Sequence, residues 1–321
     1  MSNYNPLELT RRQLLSATSF GLGTLCLAPS ALLADDAGLA GLVERRRLEA
    51  PNAKITVVSL RGGISVLSGA GGNITVLADG DGKLLVDSGI AGTKPKLAEA
   101  LASIDVQPVK HVINTHWHFD HTDGNEWLHA EGAVVTAHQN THKHLSAQTR
   151  VAEWNFTFPP SARGALPTDI VKKDKSLKFG GETIALKWFG PSHTDSDLSV
   201  HFSNADVYLT GDIWWNGLYP FIDYSTGGSI NGMIRAAEQT LAAVTDETMI
   251  VPGHGPVGNK AKFAEYHRML VSIRDKVAEL KKQGMTLKEV IAAKPTSPFD
   301  DKMNTAAIKP EFFTKLVYDG V

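Results

Sequence analysis

The chain has 321 residues, of which 42% are hydrophobic and 21% charged, and its 32 Lys and Arg nearly balance its 34 Asp and Glu. This composition is typical of a globular protein and excludes a low-complexity disordered chain, collagen and a multi-span membrane protein, and without a basic excess we expect no nucleic-acid partner. The single cysteine and the 12 histidines indicate that a metal site in this chain would use nitrogen and oxygen ligands.

The first predicted element is an export signal at residues 1–34. Arg11 and Arg12 precede residues 13–34, which carry no charged side chain and are rich in Leu, Ala, Gly and Ser. The pattern resembles a twin-arginine signal peptide, which the twin-arginine export machinery recognises and which is cleaved from the exported protein. A membrane anchor is disfavoured because Ser, Thr and Pro make the stretch only weakly apolar. We therefore expect a periplasmic protein without stable membrane insertion, and a mature chain that has lost Cys26.

The remaining pattern predicts a linker, or a short exposed helix, at residues 35–53 and a single domain at residues 54–321. Short runs of β-branched residues predict strands at 55–58, 64–67, 74–77, 84–86, 111–114, 133–137, 183–189, 198–202, 207–210 and 249–251. Helical spacing of apolar residues predicts helices at 94–103, 138–148, 229–243, 259–283 and 287–293. Two sets of strands, each followed by helices, indicate two sheets with helices outside them, a layered α/β domain.

A polar cluster follows the strand predicted at residues 111–114, and it contains His116, His118, Asp120 and His121. In an extended chain His116 and His118 project to the same side, because side chains alternate with a period of two. The turn that follows brings Asp120 and His121 to a neighbouring point. Imidazole and carboxylate groups are ligands that hold zinc, so two such pairs side by side predict two metal ions.

Three further candidate ligands, His193, Asp212 and His254, each lie at the end of a predicted strand. Glycines beside them allow the backbone to approach a crowded centre. A lone histidine in a loop is usually a surface residue. Four polar clusters that all follow strands instead predict one shared metal site.

With these seven residues the chain resembles the metallo-β-lactamase superfamily over residues 54–280. The resemblance implies a four-layer αββα sandwich with its site at one edge, between the two sheets. It also implies ligands for two zinc ions, with iron or manganese less favoured. The ligand sets are His116, His118 and His193 for one ion and Asp120, His121 and His254 for the other, with Asp212 bridging them.

The residue at position 212 bears on the substrate that the resemblance implies. In β-lactamases of this superfamily the position usually holds Cys or Ser, whereas Asp is typical of glyoxalase II, lactonases and other ester hydrolases. The implied function is an exported zinc-dependent hydrolase, in which a dinuclear zinc-bound hydroxide attacks the acyl carbonyl of a small ester, lactone or thioester. Asp120 would orient this nucleophile. Tyr219 or Asn216, in the aromatic loop 213–223, would donate a hydrogen bond to the oxyanion.

Three alternative functions remain open at this point. A β-lactamase, or an enzyme with incidental β-lactam activity, would turn over nitrocefin. A mononuclear iron dioxygenase acting on persulfides would contain iron. A non-catalytic periplasmic metal-binding accessory protein would bind metal ions tightly without hydrolysing any small-molecule substrate.

Overall fold

The computed structural model describes residues 39–305 and 307–321, so the predicted export signal lies outside the described residues. Within these ranges, no helix has the length and apolar character needed to cross a membrane. The described helices are α1 (Leu42–Glu49), α2 (Lys94–Ile104), α3 (Phe119–Thr122), α4 (Asn125–Ala130), α5 (Gln139–Ser146), α6 (Ile230–Ala243), α7 (Lys260–Lys282), α8 (Leu287–Ala292) and α9 (Pro310–Asp319).

The described strands are β1 (Thr56–Ser59), β2 (Ile64–Ser68), β3 (Ile74–Asp79), β4 (Gly82–Val86), β5 (Val109–Ile113), β6 (Val134–His138), β7 (Thr149–Val151), β8 (Phe156–Phe158), β9 (Asp169–Val171), β10 (Lys175–Phe179), β11 (Glu182–Trp188), β12 (Leu198–Phe202), β13 (Val207–Trp215) and β14 (Met249–His254). One sheet has the strand order β1-β2-β3-β4-β5-β6-β9 and the other β10-β11-β12-β13-β14, while β7 and β8 pair with each other. The pairs β4–β5, β5–β6 and β13–β14 are parallel. The carboxyl ends of paired parallel strands meet at one edge of their sheet, where open α/β proteins bind ligands.

The alternation of apolar side chains places each central strand between two cores. In β4, Leu84 and Val86 face the core between the sheets together with Leu186 of the second sheet. Leu85, between them, packs on the opposite face with Leu97 of α2. The outer face of the second sheet packs against α6 and α7. The layers are therefore helix, sheet, sheet and helix, which confirms the predicted αββα sandwich.

Residues 39–53 belong to the segment predicted as a linker or a short exposed helix, and they contain a short helix whose side chains are mostly exposed. Residues 42–49 form α1, and Leu39 and Val43 are buried in the largest core cluster. The guanidinium of Arg47 donates two hydrogen bonds of 2.9 Å to the carboxylate of Asp123, at the end of α3. The many charged residues of this segment suggested a linker or an exposed helix. Two buried apolar side chains and one bidentate ion pair also join this segment to the folded domain.

The differences from the predicted elements concern short segments and the carboxyl end. The strands β7, β8 and β9 were not predicted, because they have three residues each, too few to reveal a period in the sequence. The carboxyl-terminal helix α9 was not predicted, although its residues Phe313 and Leu316 are buried in the core.

Candidate metal centre

All seven predicted ligands lie at one edge of the two sheets, where strands end. His116 and His118 follow β5, Asp120 and His121 lie in α3, His193 follows β11, Asp212 lies near the end of β13, and His254 ends β14. The register between β13 and β14 shifts on both sides of Gly211. Such irregularities re-aim side chains beside active sites, and here one immediately precedes Asp212.

The first group of candidate ligands contains His116, His118, His193 and Asp212, all buried, with ligand atoms within 4.8 Å of one another. The Nδ1 of His118 lies 3.1 Å from the Nε2 of His116 and 2.9 Å from the Nε2 of His193. The Oδ2 of Asp212 lies 3.4 Å from the Nε2 of His193. Ligand atoms in a tetrahedron around one zinc ion are roughly 3.3 Å apart, so the spacing suits a shared ion.

The second group contains Asp120, His121 and His254. The Nε2 of His254 lies 3.4 Å from the Oδ2 of Asp120 and 3.4 Å from the Nε2 of His121. Asp212 reaches this group as well, because its Oδ1 is 3.2 Å from the Nε2 of His121 and its Oδ2 is 3.4 Å from the Nε2 of His254. One carboxylate therefore contacts both groups, as the predicted bridging role requires.

Two further observations test whether these residues suit metal ions. The Oδ1 of Asp212 is buried, and although it lies 3.2 Å from the Nε2 of His121 it makes no hydrogen bond of good geometry with the described residues. Buried polar atoms are normally paired, and a cation between the groups would pair this one. Glycine at position 253 leaves the room that this carboxylate needs, since a Cβ there would lie 1.9 Å from the Oδ1 of Asp212. The site therefore fits two metal ions.

The protonation of the buried groups agrees with this interpretation in the first group. Burial lowers the pKa of His116 well below its usual range and also lowers the pKa of His118, so these imidazoles are neutral, the form that binds metal. Burial alone would raise the pKa of Asp212, but the surrounding imidazoles, His254 foremost, hold it well below its usual range. Asp212 is therefore an anion surrounded by nitrogen ligands. In the second group the carboxylates of Asp212, Asp120 and Asp87 outweigh burial and raise the pKa of His121 well above its usual range.

In two of the ligand imidazoles, the ring nitrogen that points away from the centre forms a hydrogen bond with the protein. The Nε2 of His118 lies 3.0 Å from the Oδ2 of the buried Asp223, and the Nδ1 of His193 donates to the carbonyl oxygen of Phe221 at 2.8 Å. A hydrogen bond on one ring nitrogen fixes the tautomer and leaves the other nitrogen free for a metal ion. Asp223 was missed in the sequence, where nothing marks it as a partner of a histidine 105 residues away.

Asp87, directly after β4, supports ligands of both groups. Its carboxylate accepts hydrogen bonds from the backbone N–H and the hydroxyl of Thr115 at 2.7 and 2.8 Å, and it lies 2.8 Å from the Nδ1 of His121. The same Thr115 hydroxyl oxygen is 3.0 Å from the Nδ1 of His116. Asp87 was also missed. A signal was available, since it is a polar residue at the end of a predicted strand, like the ligands themselves.

We expect Asp87→Asn to weaken metal binding by about 10- to 100-fold, the usual effect of losing an outer partner of a ligand. The Oδ2 of Asp87 faces both the Thr115 hydroxyl and the Nδ1 of His121, and an amide NH₂ there would place a donor against donors. Competition with a chelator measures the affinity. Asp81→Asn, in an exposed turn, is the matched control and should leave the affinity unchanged; an equal loss in both variants would refute the role of Asp87.

The structure does not support the predicted oxyanion contacts of Tyr219 and Asn216. The hydroxyl of Tyr219 is buried away from the centre and donates to the Oδ1 of Asp300 at 2.7 Å, while its ring stacks on Phe313. Burial, with Asp300 beside it, raises the pKa of Tyr219. The amide of Asn216 donates to the carbonyl oxygen of Pro256, beyond His254. Tyr219 therefore packs in the core and Asn216 braces the loop after β14, and the hydrogen bonds of both side chains lead away from the candidate ligands.

Tyr219→Phe should lower the free energy of unfolding by about 1 to 2 kcal/mol, because the hydroxyl loses its hydrogen bond to Asp300 and a longer one, of 3.4 Å, to the carbonyl oxygen of Thr296. Activity should remain within twofold of the unchanged chain. Denaturant unfolding and steady-state kinetics measure the two effects. A large drop in kcat without loss of stability would restore the catalytic assignment.

A cavity of about 800 Å³ opens onto the centre. His118, Asp120, His193, Asp212 and His254 line it on the side of the candidate ligands. Three residues of the predicted aromatic loop also line it, namely Trp215, Leu218 and Phe221, and Trp154 stacks on Phe221 at 5.1 Å between ring centroids. The cavity size is that of a small-molecule site.

Comparisons of the sequence with known proteins agree with this geometry. The family model of the metallo-beta-lactamase superfamily matches residues 67–254, more than half of the chain. The hydroxyacylglutathione hydrolase of Polaromonas sp. is 28% identical over 167 residues, which are 51% of this chain and 55% of that protein. A probable metallo-hydrolase of Methanocaldococcus jannaschii is 28% identical over 194 residues, 58% of this chain and 88% of that protein. The chain thus spans only about half the length of the first of these relatives.

Comparisons with solved structures show the same fold. A metallo-β-lactamase from Pontibacter korlensis superposes with a TM-score of 0.54 at 18% identity, covering 68% of this chain and 99% of that one. A stereoselective inverting sec-alkylsulfatase from Pseudomonas sp. superposes with a TM-score of 0.64 at 14% identity, covering 83% of this chain and 50% of that one. At such identities the likeness establishes the architecture alone.

Proposed function

Because this chain belongs to the metallo-β-lactamase superfamily and is a metal-dependent hydrolase of it, we propose that it hydrolyses the acyl bond of a small ester, lactone or thioester with two zinc ions. The observation that carries the proposal is the position of Asp212, whose carboxylate contacts imidazoles of both ligand groups. It does so at the wall of a cavity of small-molecule size.

Zinc ions in this centre would polarise the substrate carbonyl and lower the pKa of an attacking water to about 7. The residues of the chain provide the geometry for this chemistry. His116, His118 and His193 would hold one ion and Asp120, His121 and His254 the other, with Asp212 between them. The hydrogen bonds of Asp87 and Asp223 would keep the imidazoles oriented.

Asp120 is the carboxylate best placed to move a proton. Its side chain is 18% exposed and lines the cavity, whereas that of Asp212 is 2% exposed. In the proposed reaction the water oxygen bonds to the acyl carbon, the bond from that carbon to the leaving oxygen or sulfur breaks, and Asp120 passes the water proton to the leaving group. Asp120, which the sequence predicted to orient the nucleophile, is thus both a candidate ligand and the one side chain proposed to transfer a proton.

An acyl substrate is favoured by the donor set and by one relative. Asp at position 212 is the residue that the sequence resemblance connects with ester, lactone and thioester hydrolases. The relative from Polaromonas is named as a hydrolase of hydroxyacylglutathione, an acyl compound. The β-lactamase and accessory-protein alternatives remain outcomes of the test.

The test is a hydrolysis panel of esters, lactones, thioesters and nitrocefin, run before and after dialysis against EDTA. We expect acyl hydrolysis to disappear with the metal and to return with Zn²⁺. If only iron or manganese restores acyl hydrolysis, the proposed metal is that ion and not zinc. Turnover of nitrocefin alone would identify a β-lactamase, and tight metal binding without any turnover an accessory protein. Activity that persists in metal-free protein would overturn the proposal.

We also propose that the chain is exported to the periplasm by the twin-arginine machinery, on the evidence of Arg11 and Arg12 ahead of the uncharged residues 13–34. Replacing both arginines with lysine should leave the protein in the cytoplasm at its full length, whereas the unchanged chain should be cleaved and periplasmic. Cell fractionation shows in which compartment each protein lies, and its mass shows whether the signal has been cleaved. If the doubly substituted chain is exported and cleaved as efficiently as the unchanged chain, this assignment is contradicted.

A further inference from the structure

The helix α1 forms part of the wall of the cavity above the candidate metal centre. Leu39, Leu42 and Leu48, at and around α1, line the cavity, and Ile308 lines it from the carboxyl-terminal part of the chain. None of these four residues lies in the segment 67–254 that the family model matches. This wall therefore lies outside the segment that the family model matches.

The side chains of this wall are aliphatic. Leu39 and Ile308 are each 3% exposed, whereas Leu48 is 79% exposed although it lines the cavity. An exposed leucine of this size beside a cavity is available to cover an apolar ligand. Apart from the candidate metal ligands, the charged residues lining the cavity are Arg46, Glu49 and Lys54.

These charged residues lie at the surface and leave the interior apolar. Arg46, Glu49 and Lys54 are exposed, and the guanidinium of Arg46 lies 3.4 Å from the carboxylate of Glu49. The cavity therefore combines a polar centre, which binds a reacting group, with an aliphatic wall. A ligand that matches both parts has a carbonyl or carboxylate at one end and a saturated chain at the other.

We propose that α1 and its neighbouring leucines form a subsite for an unbranched acyl chain, so that the substrates are medium-chain acyl compounds rather than acetyl-sized ones. This inference rests on the proposed acyl hydrolysis and adds the chain of the substrate to it. The acyl carbon lies at the candidate metal centre, and the methylenes extend along Leu42, Leu39 and Ile308. After hydrolysis the same position holds the fatty acid anion that is the product.

The position of α1 is held firmly enough to serve as a wall. The bidentate contact between Arg47 and Asp123 ties α1 to the end of α3, the helix that carries Asp120 and His121. The guanidinium of Arg47 also lies 5.5 Å from the centre of the Phe119 ring, another residue lining the cavity. The wall and the second group of candidate ligands are therefore connected through one short helix.

The test compares the binding of acetate and octanoate to the full, zinc-loaded chain by calorimetry, so that it does not depend on turnover. Each methylene that leaves water strengthens binding roughly fourfold. Octanoate has six more methylenes than acetate, and burial of three of them would make it bind about 50-fold more tightly. The same comparison is made by kinetics with p-nitrophenyl acetate and p-nitrophenyl octanoate.

Two variants locate the subsite. Leu42→Ala should weaken octanoate binding about fivefold or more and leave acetate binding unchanged, because only the chain contacts this side chain. Leu48→Asp should act in the same direction, and since Leu48 is 79% exposed the substitution leaves the fold intact. The matched control is Val106→Asp, at a residue that is 87% exposed and does not line the cavity. It should change the binding of neither ligand.

The outcomes separate this inference from the proposed function. The subsite is overturned if octanoate binds no more tightly than acetate. It is also overturned if both leucine variants weaken the binding of octanoate and acetate by the same factor. If octanoate is selected but neither ester is hydrolysed, the acyl-chain subsite stands and the proposed hydrolysis of these esters fails. If both esters are hydrolysed at equal kcat/KM and bound with equal affinity, the hydrolysis stands and the subsite fails.

Discussion

Replacing Asp212 with alanine is expected to lower kcat/KM for the acyl substrate by about a thousandfold and to reduce the bound metal below two ions per chain. Asp212 is the only carboxylate among the described candidate ligands that contacts both groups, with Oδ1 3.2 Å from His121 and Oδ2 3.4 Å from His193. Metal ions stabilise the transition state by several kcal/mol, and each 1.4 kcal/mol corresponds to a tenfold change in rate. Loss of the shared ligand removes much of this contribution.

The control for this variant is Asp246→Ala, which removes the same charge at an exposed position between α6 and β14. It should retain both the metal and the activity. Asp212→Ala should remain folded by circular dichroism, so that its loss is assigned to the centre. A variant without Asp212 that kept two ions and more than a tenth of the activity would contradict the bridging role.

Gly253→Ala is the second substitution with a large expected effect, although it removes no ligand. The added Cβ would lie 1.9 Å from the Oδ1 of Asp212, 2.8 Å from the carbonyl carbon of Gly211 and 2.9 Å from the backbone nitrogen of Asp212. Because two of these atoms belong to the backbone, β13 has to shift and to carry Asp212 with it. A displacement of about 1 Å in a catalytic group costs roughly 100-fold in rate. We expect a loss of at least that size, together with weaker metal binding.

Gly80→Ala is the matched control, since a Cβ at that position in the turn between β3 and β4 would have no heavy atom within 4 Å. It should leave kinetics and metal content unchanged. Steady-state kinetics and elemental analysis of both variants measure the activity and the metal content. Full activity in Gly253→Ala would show that the centre tolerates a shift of Asp212, against the crowding inferred from the structure.

A layered α/β domain and a shared metal site could be predicted from local patterns, and the αββα order and the two ligand sets from the resemblance to a known family. His116 and His193 lie in the loops that follow β5 and β11, His254 ends β14, and strand ends meet at the edge of a sheet. The outer partners depend on tertiary structure. His118 and Asp223 are 105 residues apart, and no local pattern connects a histidine to one aspartate among many.

Other contacts that the sequence does not reveal have the same origin. The charged residues of α1 predicted a linker or an exposed helix, and composition does not show that Leu39 and Val43 beside them are buried by residues distant in the chain. Tyr219 was predicted near the oxyanion because it lies in the aromatic loop 213–223, which was interpreted as a wall of the substrate pocket. Its hydroxyl instead meets Asp300, 81 residues further along the chain. Packing of this kind decides where an aromatic side chain points, and it is not a local property.

The central claim is that seven side chains hold two metal ions that acyl hydrolysis requires. It is tested most directly by adding Zn²⁺ stepwise to metal-free protein while bound metal per chain and hydrolysis of an acyl ester are measured on the same samples. We predict saturation at two ions per chain, with hydrolysis at its maximum when both are bound. A chain that binds no metal at this centre, or that hydrolyses the ester equally well with none bound, would contradict the claim.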